Sequence, residues 1–193
     1  MRPSQSPGFH GNISVACQGR WRGSTNDGNG DCLLTTNLPL YFSMEDSPFL
    51  TKTSKTIYFE ARLLGTRVGP TTQSTADSGF SIGFVAQPYP SWRSPGWERG
   101  SLGVFSDDGC RFVNDSWGGK SLTNKFRLGE TVGLGVTFGL PIKTPPAPAN
   151  EDEKANVDIF FTRDGQEVGG WSLYEKLDVE SGGVEGLGGD FDL

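Results

Sequence analysis

The stretch GVFSDDGCRF, residues 103–112, sets an Asp-Asp-Gly turn between two short apolar runs. Asp-Gly in that setting is a strong hairpin signal, because glycine accepts a positive φ with no Cβ to clash. Adjacent carboxylates also raise a chemical alternative, since paired acids hydrolyse glycosides when they face each other across a cleft. Asp107 and Asp108 are neighbours on one turn, so their side chains point apart. Strand, turn, strand is therefore the reading, and it predicts an all-β chain of short antiparallel strands.

Working outward, the same alternation recurs. In GFSIGFVAQ, residues 79–87, Phe80, Ile82 and Phe84 alternate with Ser81, Gly83 and Val85. Gly83 permits a close backbone approach. KTIYFEARLL, residues 55–64, places Ile57, Phe59, Ala61 and Leu63 on the face that meets the core. ETVGLGVTF (130–138) and NVDIFFTRDGQEVG (156–169) are further strands, the second with its own Asp164-Gly165 turn, and GNISVAC (11–17) alternates as well. DCLLTTNLPLYF (31–42) is broken by Pro39 and reads as an edge strand or irregular segment.

Between strands lie loops. Residues 24–31 form a polar Gly/Asn/Asp cluster, residues 65–78 are polar, and residues 140–155 are a proline-rich, then acidic insertion. PYPSWRSPGWERG, residues 88–100, holds three prolines and two tryptophans and reads as a rigid aromatic loop. Residues 1–8 are expected to be a flexible N-terminus, and the domain to span 9–193.

The chain has 193 residues, enough for one domain with a substantial core. Its 28 glycines, 12 prolines and 11% aromatic share suit strands and turns, and only residues 172–180 carry a helical period. Net charge is −6 with no stripe of Lys or Arg, which argues against DNA or RNA as a partner. The opening MRPSQSPGFHGNISV lacks an apolar leader core, and no run of about 18 apolar residues is present to span a membrane. An intracellular, cytoplasmic protein is expected.

Motifs that invite chemistry do not survive inspection. SWGGKSL, residues 116–122, suggests a phosphate loop, but Asn114 stands where the leading glycine is needed and no apolar helix follows. GLGVTFG, residues 133–139, has the wrong glycine spacing for a dinucleotide site and fits tight packing between strands. His10 is the sole histidine and lies near the N-terminus, so triads and histidine metal sites lack a base or ligand. Cys17, Cys32 and Cys110 are odd in number, without CxxC spacing, and read as buried reduced thiols. The sequons at Asn12–Ser14 and Asn114–Ser116 carry no weight without a leader. A non-enzyme with no cofactor and no metal is expected.

Of the five tryptophans, Trp92 is the one expected to be exposed, since it sits mid-loop beside Arg93. Aromatic and Arg side chains on rigid loops are the usual material of interface hot spots.

Taken together, GFSIGFVAQ, RSPGWERGSLGVFSDDGCRF, FRLGETVGLGV and IFFTRDGQEVG, in that order, resemble the SPRY domain over residues 10–190. The subtype is that of Ran-binding-protein-M-like scaffolds and of adaptors for HECT-type ubiquitin ligases. The resemblance implies a bent antiparallel β-sandwich with no catalysis of its own, binding short peptide segments of other proteins through loops at one end. The matching positions are Tyr89, Trp92, Arg93 and Trp97, with Trp117 and Gly118 as further contacts. Ubiquitin-ligase subunits are possible partners, although no PPxY-like docking motif is present. The alternative is a carbohydrate-binding, lectin-like sandwich, which also displays Trp and carboxylates on loops.

Two departures from the pattern stand out. The insertion at 140–155 replaces a shorter turn, and the closing strands that follow a GDFDL-like segment are missing. With the last strands lacking from the pattern, an unpaired edge and a marginally stable or aggregation-prone domain are expected.

Overall fold

The computed structural model describes residues 1–26, 30–65, 79–114, 117, 119–140, 155–173 and 175. In chain order these form β1 (Pro3–Gln5), β2 (Gly11–Cys17), β3 (Arg20–Thr25), β4 (Leu34–Thr36), α1 (Ser43–Asp46), α2 (Pro48–Thr51) and β5 (Lys55–Arg62). They continue with β6 (Ser81–Val85), β7 (Ser101–Phe105), β8 (Cys110–Val113), β9 (Lys120–Ser121), β10 (Thr131–Gly139), β11 (Asn156–Arg163) and β12 (Gln166–Ser172).

Two four-stranded antiparallel sheets make the body, in the orders β12-β11-β10-β5 and β6-β7-β8-β9. Alternation decides which side chains meet between them. In the first sheet Leu134 of β10 lies opposite Phe59 of β5 and Phe161 of β11. In the second, Ile82 and Phe84 of β6 lie opposite Val104 and Leu102 of β7. All of these enter one core, where Leu134, Phe161 and Val104 have no exposure. Phe59 meets Phe84 edge-to-face across it at 5.3 Å. The all-β chain expected from periodicity, and the antiparallel sandwich that the resemblance implies, are the observed architecture.

The Asp-Gly turn joins β7 to β8. Gly109 has φ +72°, and a Cβ there would overlap the Thr123 carbonyl. Asp108 Oδ1 accepts the Cys110 amide at 2.7 Å, so this carboxylate shapes the turn. Leu122 and Thr123 amides then donate to the Gly109 carbonyl at 3.3 and 3.1 Å, tying the next segment to the turn.

Two arginines fasten the sandwich. Arg111 of β8 is 3% exposed, lies 4.9 Å from the ring of Trp171 on β12, and pairs with Glu175 at 2.6 Å, so it links one sheet to the other. Arg163 of β11 uses every guanidinium N–H. Nε and Nη2 donate to the two Glu130 oxygens at 2.6 and 2.7 Å, while Nη1 and Nη2 donate to Thr123 Oγ1 and to the carbonyls of Asn124 and Lys125. This fixes the segment before β10, and it brings Phe126, 1% exposed, flat against Phe161.

Several local features differ from the sequence reading. Residues 1–8, expected to be flexible, include β1, which pairs with β4, and the Arg2 amide donates to Asn37 Oδ1 at 2.8 Å. The two helices are single turns, too short to show a period; Pro48 starts α2 and the Ser47 hydroxyl accepts the Phe49 amide. The cysteines form no disulfide and are not buried: Cys17 is exposed and the other two are partly so. The β2–β3 ribbon is exposed along most of both strands, which explains Cys17. The β11–β12 register shifts between Phe161 and Thr162, leaving Val168 as a bulge on β12. Among the described residues no helix is long and apolar enough to cross a membrane. The bulk of the 140–155 insertion, most of the 172–180 helical period and the site of the expected closing strands lie outside the described residues.

Burial pushes the Glu130 carboxyl up, but the Arg163 and Arg127 hydrogen bonds and charges outweigh it and hold it below its ordinary value of 4.5. A carboxylate lowered in the folded state stabilises fully above its unfolded value, and that contribution is lost as the pH falls through the folded one. Arg163→Met should cost about 3 kcal/mol in urea unfolding at neutral pH. The gap to the unaltered chain should narrow as the pH is taken below 4.5.

Candidate functional site

The segment joining β6 to β7, residues 86–100, is closed at its base by the Ala86 amide donating to the Gly100 carbonyl at 2.7 Å. It folds back over the outer face of the second sheet, the face opposite the core. Room for it comes from Gly83 and Gly103, paired across β6 and β7, since a Cβ at either would overlap Pro95. Trp97 then stacks on Phe105 at 4.9 Å, and both meet Phe112 edge-on. This is a small apolar cluster separate from the main core.

A buried hydroxyl organises the loop's polar groups. Ser101 has no exposure; its Oγ donates to the Glu98 carbonyl at 2.6 Å and accepts the Gly96 amide at 2.8 Å. It also hydrogen-bonds the Tyr89 hydroxyl at 3.1 Å, and that hydroxyl donates to the Ser94 carbonyl at 2.7 Å. Burial raises the Tyr89 phenol above its usual range despite the Ser101 hydrogen bond, so it stays neutral. From β8's end Asn114, held at φ +61°, accepts the Gly100 amide at 2.7 Å.

On this base the loop presents Trp92 and Arg93. Trp92 is 61% exposed. The Arg93 guanidinium lies 5.8 Å from the Trp92 ring and 5.6 Å from the Trp97 ring, and its Nε donates to Glu98 at 2.7 Å. A partly exposed pair of this kind is worth about 0–1 kcal/mol, so its role is to orient the side chain. The fold thus brings Tyr89, Trp92, Arg93 and Trp97 together with different tasks: Tyr89 and Trp97 fasten the loop, and Trp92 faces solvent. Trp117, 86% exposed, stands on the connection between β8 and β9, and Gly118 lies outside the described residues. Ser101 was not singled out from the sequence, and Asn114 only in motifs set aside there; the available signal for this role was their position at strand ends flanking the loop.

Reactive groups are absent from this surface among the described residues. Cys110, on the same sheet face, has its thiol pushed up to about 11 by burial, with Asp108 and Asp107 adding to the effect, so it is not a thiolate at neutral pH. No group of three or more metal-ligating side chains occurs among the described residues.

No family model matches the chain. A SPRY domain-containing protein of Schizosaccharomyces pombe is 31% identical over 139 residues, which is 72% of this chain and 27% of that protein. The chain carries a SPRY domain. The SSH4 protein of Vanderwaltozyma polyspora is 31% identical over 53% of this chain, and the Ran-binding proteins 9/10 homolog of Drosophila melanogaster is 28% identical over 58%. Among solved structures, a human SPRY domain superposes with a TM-score of 0.43 at 25% identity, covering 60% of each chain. The SPRY domain here spans 27%, 16% and 9% of the lengths of the three relatives. SPRY domains are in general protein-interaction modules.

Ser101→Ala removes the hydroxyl on which three loop groups converge and strands the buried Gly96 amide. A cost of about 1–3 kcal/mol is expected in urea unfolding, with faster amide exchange across residues 89–97 than elsewhere in the second sheet.

Proposed function

We propose that this SPRY domain is a non-catalytic module that binds short peptide segments of other proteins through loop 86–100, with Trp92 as the central contact and Arg93 beside it. The observation that carries the reading is an exposed tryptophan on a loop whose backbone is already fixed by Ser101, Asn114 and Pro95. A preorganised loop lowers the ordering cost of binding, and a large aromatic surface left in water gains most from being covered. Tyr89 and Trp97 act by holding the loop, and Trp117 extends the surface.

Delivery of the bound protein to a ubiquitin-ligase assembly inside the cell is the finer part of the proposal, and it rests on the adaptor subtype that the sequence resembles. Co-precipitation of the protein with ligase subunits, before and after Trp92→Ala, tests it directly. Recovery of ligase subunits unaltered by Trp92→Ala would move recruitment away from loop 86–100 and leave the peptide reading intact.

Trp92→Ala should weaken a captured peptide at least tenfold, as expected for a hot-spot aromatic. Its unfolding midpoint should stay unchanged, because the side chain is mostly exposed. Titration calorimetry and urea unfolding on the same preparation check both. Unaltered affinity would remove Trp92 from the site.

A further inference from the structure

The outer face of the first sheet carries an aromatic feature that loop 86–100 does not use. Tyr58 of β5 and Phe160 of β11 lie on either side of Gly135, on the central strand β10. With no side chains at Gly133 and Gly135, both rings fold inward over β10: a Cβ at Gly135 would overlap the Phe160 ring, and one at Gly133 the hydroxyl end of Tyr58. The centroids are 5.6 Å apart and the planes within 14° of parallel. Both rings lean over the same strand and lie nearly parallel and offset, stacked on one another, and this pair floors the face. Gly170, opposite Phe160 on β12, adds no side chain above it. Tyr58 is 40% exposed and Phe160 half-buried.

Carboxylates rim this floor. Glu60, Asp158 and Glu167 are exposed, at positions that share the outward face with Tyr58, Phe160 and Thr162. Glu60 accepts the Tyr58 hydroxyl at 2.8 Å, and Asp158 accepts Asn156 Nδ2 at 2.8 Å, so both are positioned along the rings. The nearby Arg62 directs its Nε to the Gly129 carbonyl at 2.6 Å, at the far end of the face. Ring faces are themselves electronegative. The outer face of a stacked aromatic pair, flanked by carboxylates, is complementary to a cation, and best to a guanidinium, which is planar, stacks on rings and pairs with carboxylates.

We propose that this face docks an arginine-bearing segment of a partner protein, independently of loop 86–100. The net charge of −6 draws such a segment in before contact.

The test uses residues 1–193 and three labelled pentapeptide amides, Gly-Arg-Gly-Arg-Gly and its Lys and Ser counterparts, followed by fluorescence anisotropy at physiological salt. The Arg peptide should bind more tightly than the Lys peptide, and the Ser peptide not at all. Phe160→Leu and the double variant Glu60→Gln/Asp158→Asn should each weaken the Arg peptide about tenfold, and Trp92→Ala should leave it unchanged. Glu60 and Asp158 are exposed, so the double variant keeps the fold and decides the matter even if Phe160→Leu does not. Equal binding of the Arg and Lys peptides, insensitive to the double variant, would reduce the effect to general attraction toward an acidic chain and overturn the proposal. Loss of the Arg peptide on Trp92→Ala alone would assign it to the loop instead. Glycan binding abolished by Phe160→Leu, with no Arg preference, would make the floor a sugar platform.

Discussion

Two absent side chains govern where the loop can lie. Gly83 and Gly103 sit opposite each other on β6 and β7, and only because neither carries a Cβ does Pro95 reach the sheet surface. Once Pro95 is down, Trp97 falls onto Phe105 and Phe112, the Ser101 hydroxyl meets three loop groups, and Trp92 is left facing water. The loop's order is therefore set by the sheet beneath it, and an irregular, proline-rich segment gains a single conformation. The same device recurs in the first sheet, where Gly133 and Gly135 let Tyr58 and Phe160 lean over β10 and stack.

The charged groups inside the sandwich act in different ways. Arg163 is saturated: each donor meets an acceptor, and its partner Glu130 also takes the Arg127 amide. Such a group fixes geometry because leaving any part of it unpaired in a nearly buried site is costly. Arg111 is buried between the sheets, with the ring of Trp171 on one side and Glu175 at its end. The Trp171 indole N–H, by contrast, is buried without an acceptor among the described residues, a local cost that the surrounding apolar packing offsets.

Most of the body was legible in the sequence because strand alternation is a local property. The faces of β5, β6 and β11 follow from period two alone, and the Asp-Gly turns at 108–109 and 164–165 from glycine's access to positive φ. The glycines of β10 read only as close packing; that they make room for two rings depends on residues 75 and 25 positions away in sequence, which no local pattern reveals. The site was half legible. Composition marked Trp92 as exposed and loop-borne, whereas the supporting roles of Ser101 and Asn114 arise from strand ends meeting in space. The pairing of β1 with β4 was hidden for the same reason: three polar residues carry no alternation, and their partner lies on a different segment.

The bulge at Val168 bears on how the molecule behaves in a crowd. Among the described residues β12 has β11 as its ladder neighbour, and its other side is a row of backbone groups with the regular two-residue rhythm interrupted at Val168. A strand from another chain laid along it would match on one side of the interruption and fall out of phase on the other. Continuous sheet extension along this edge from molecule to molecule is thus frustrated by a single extra residue.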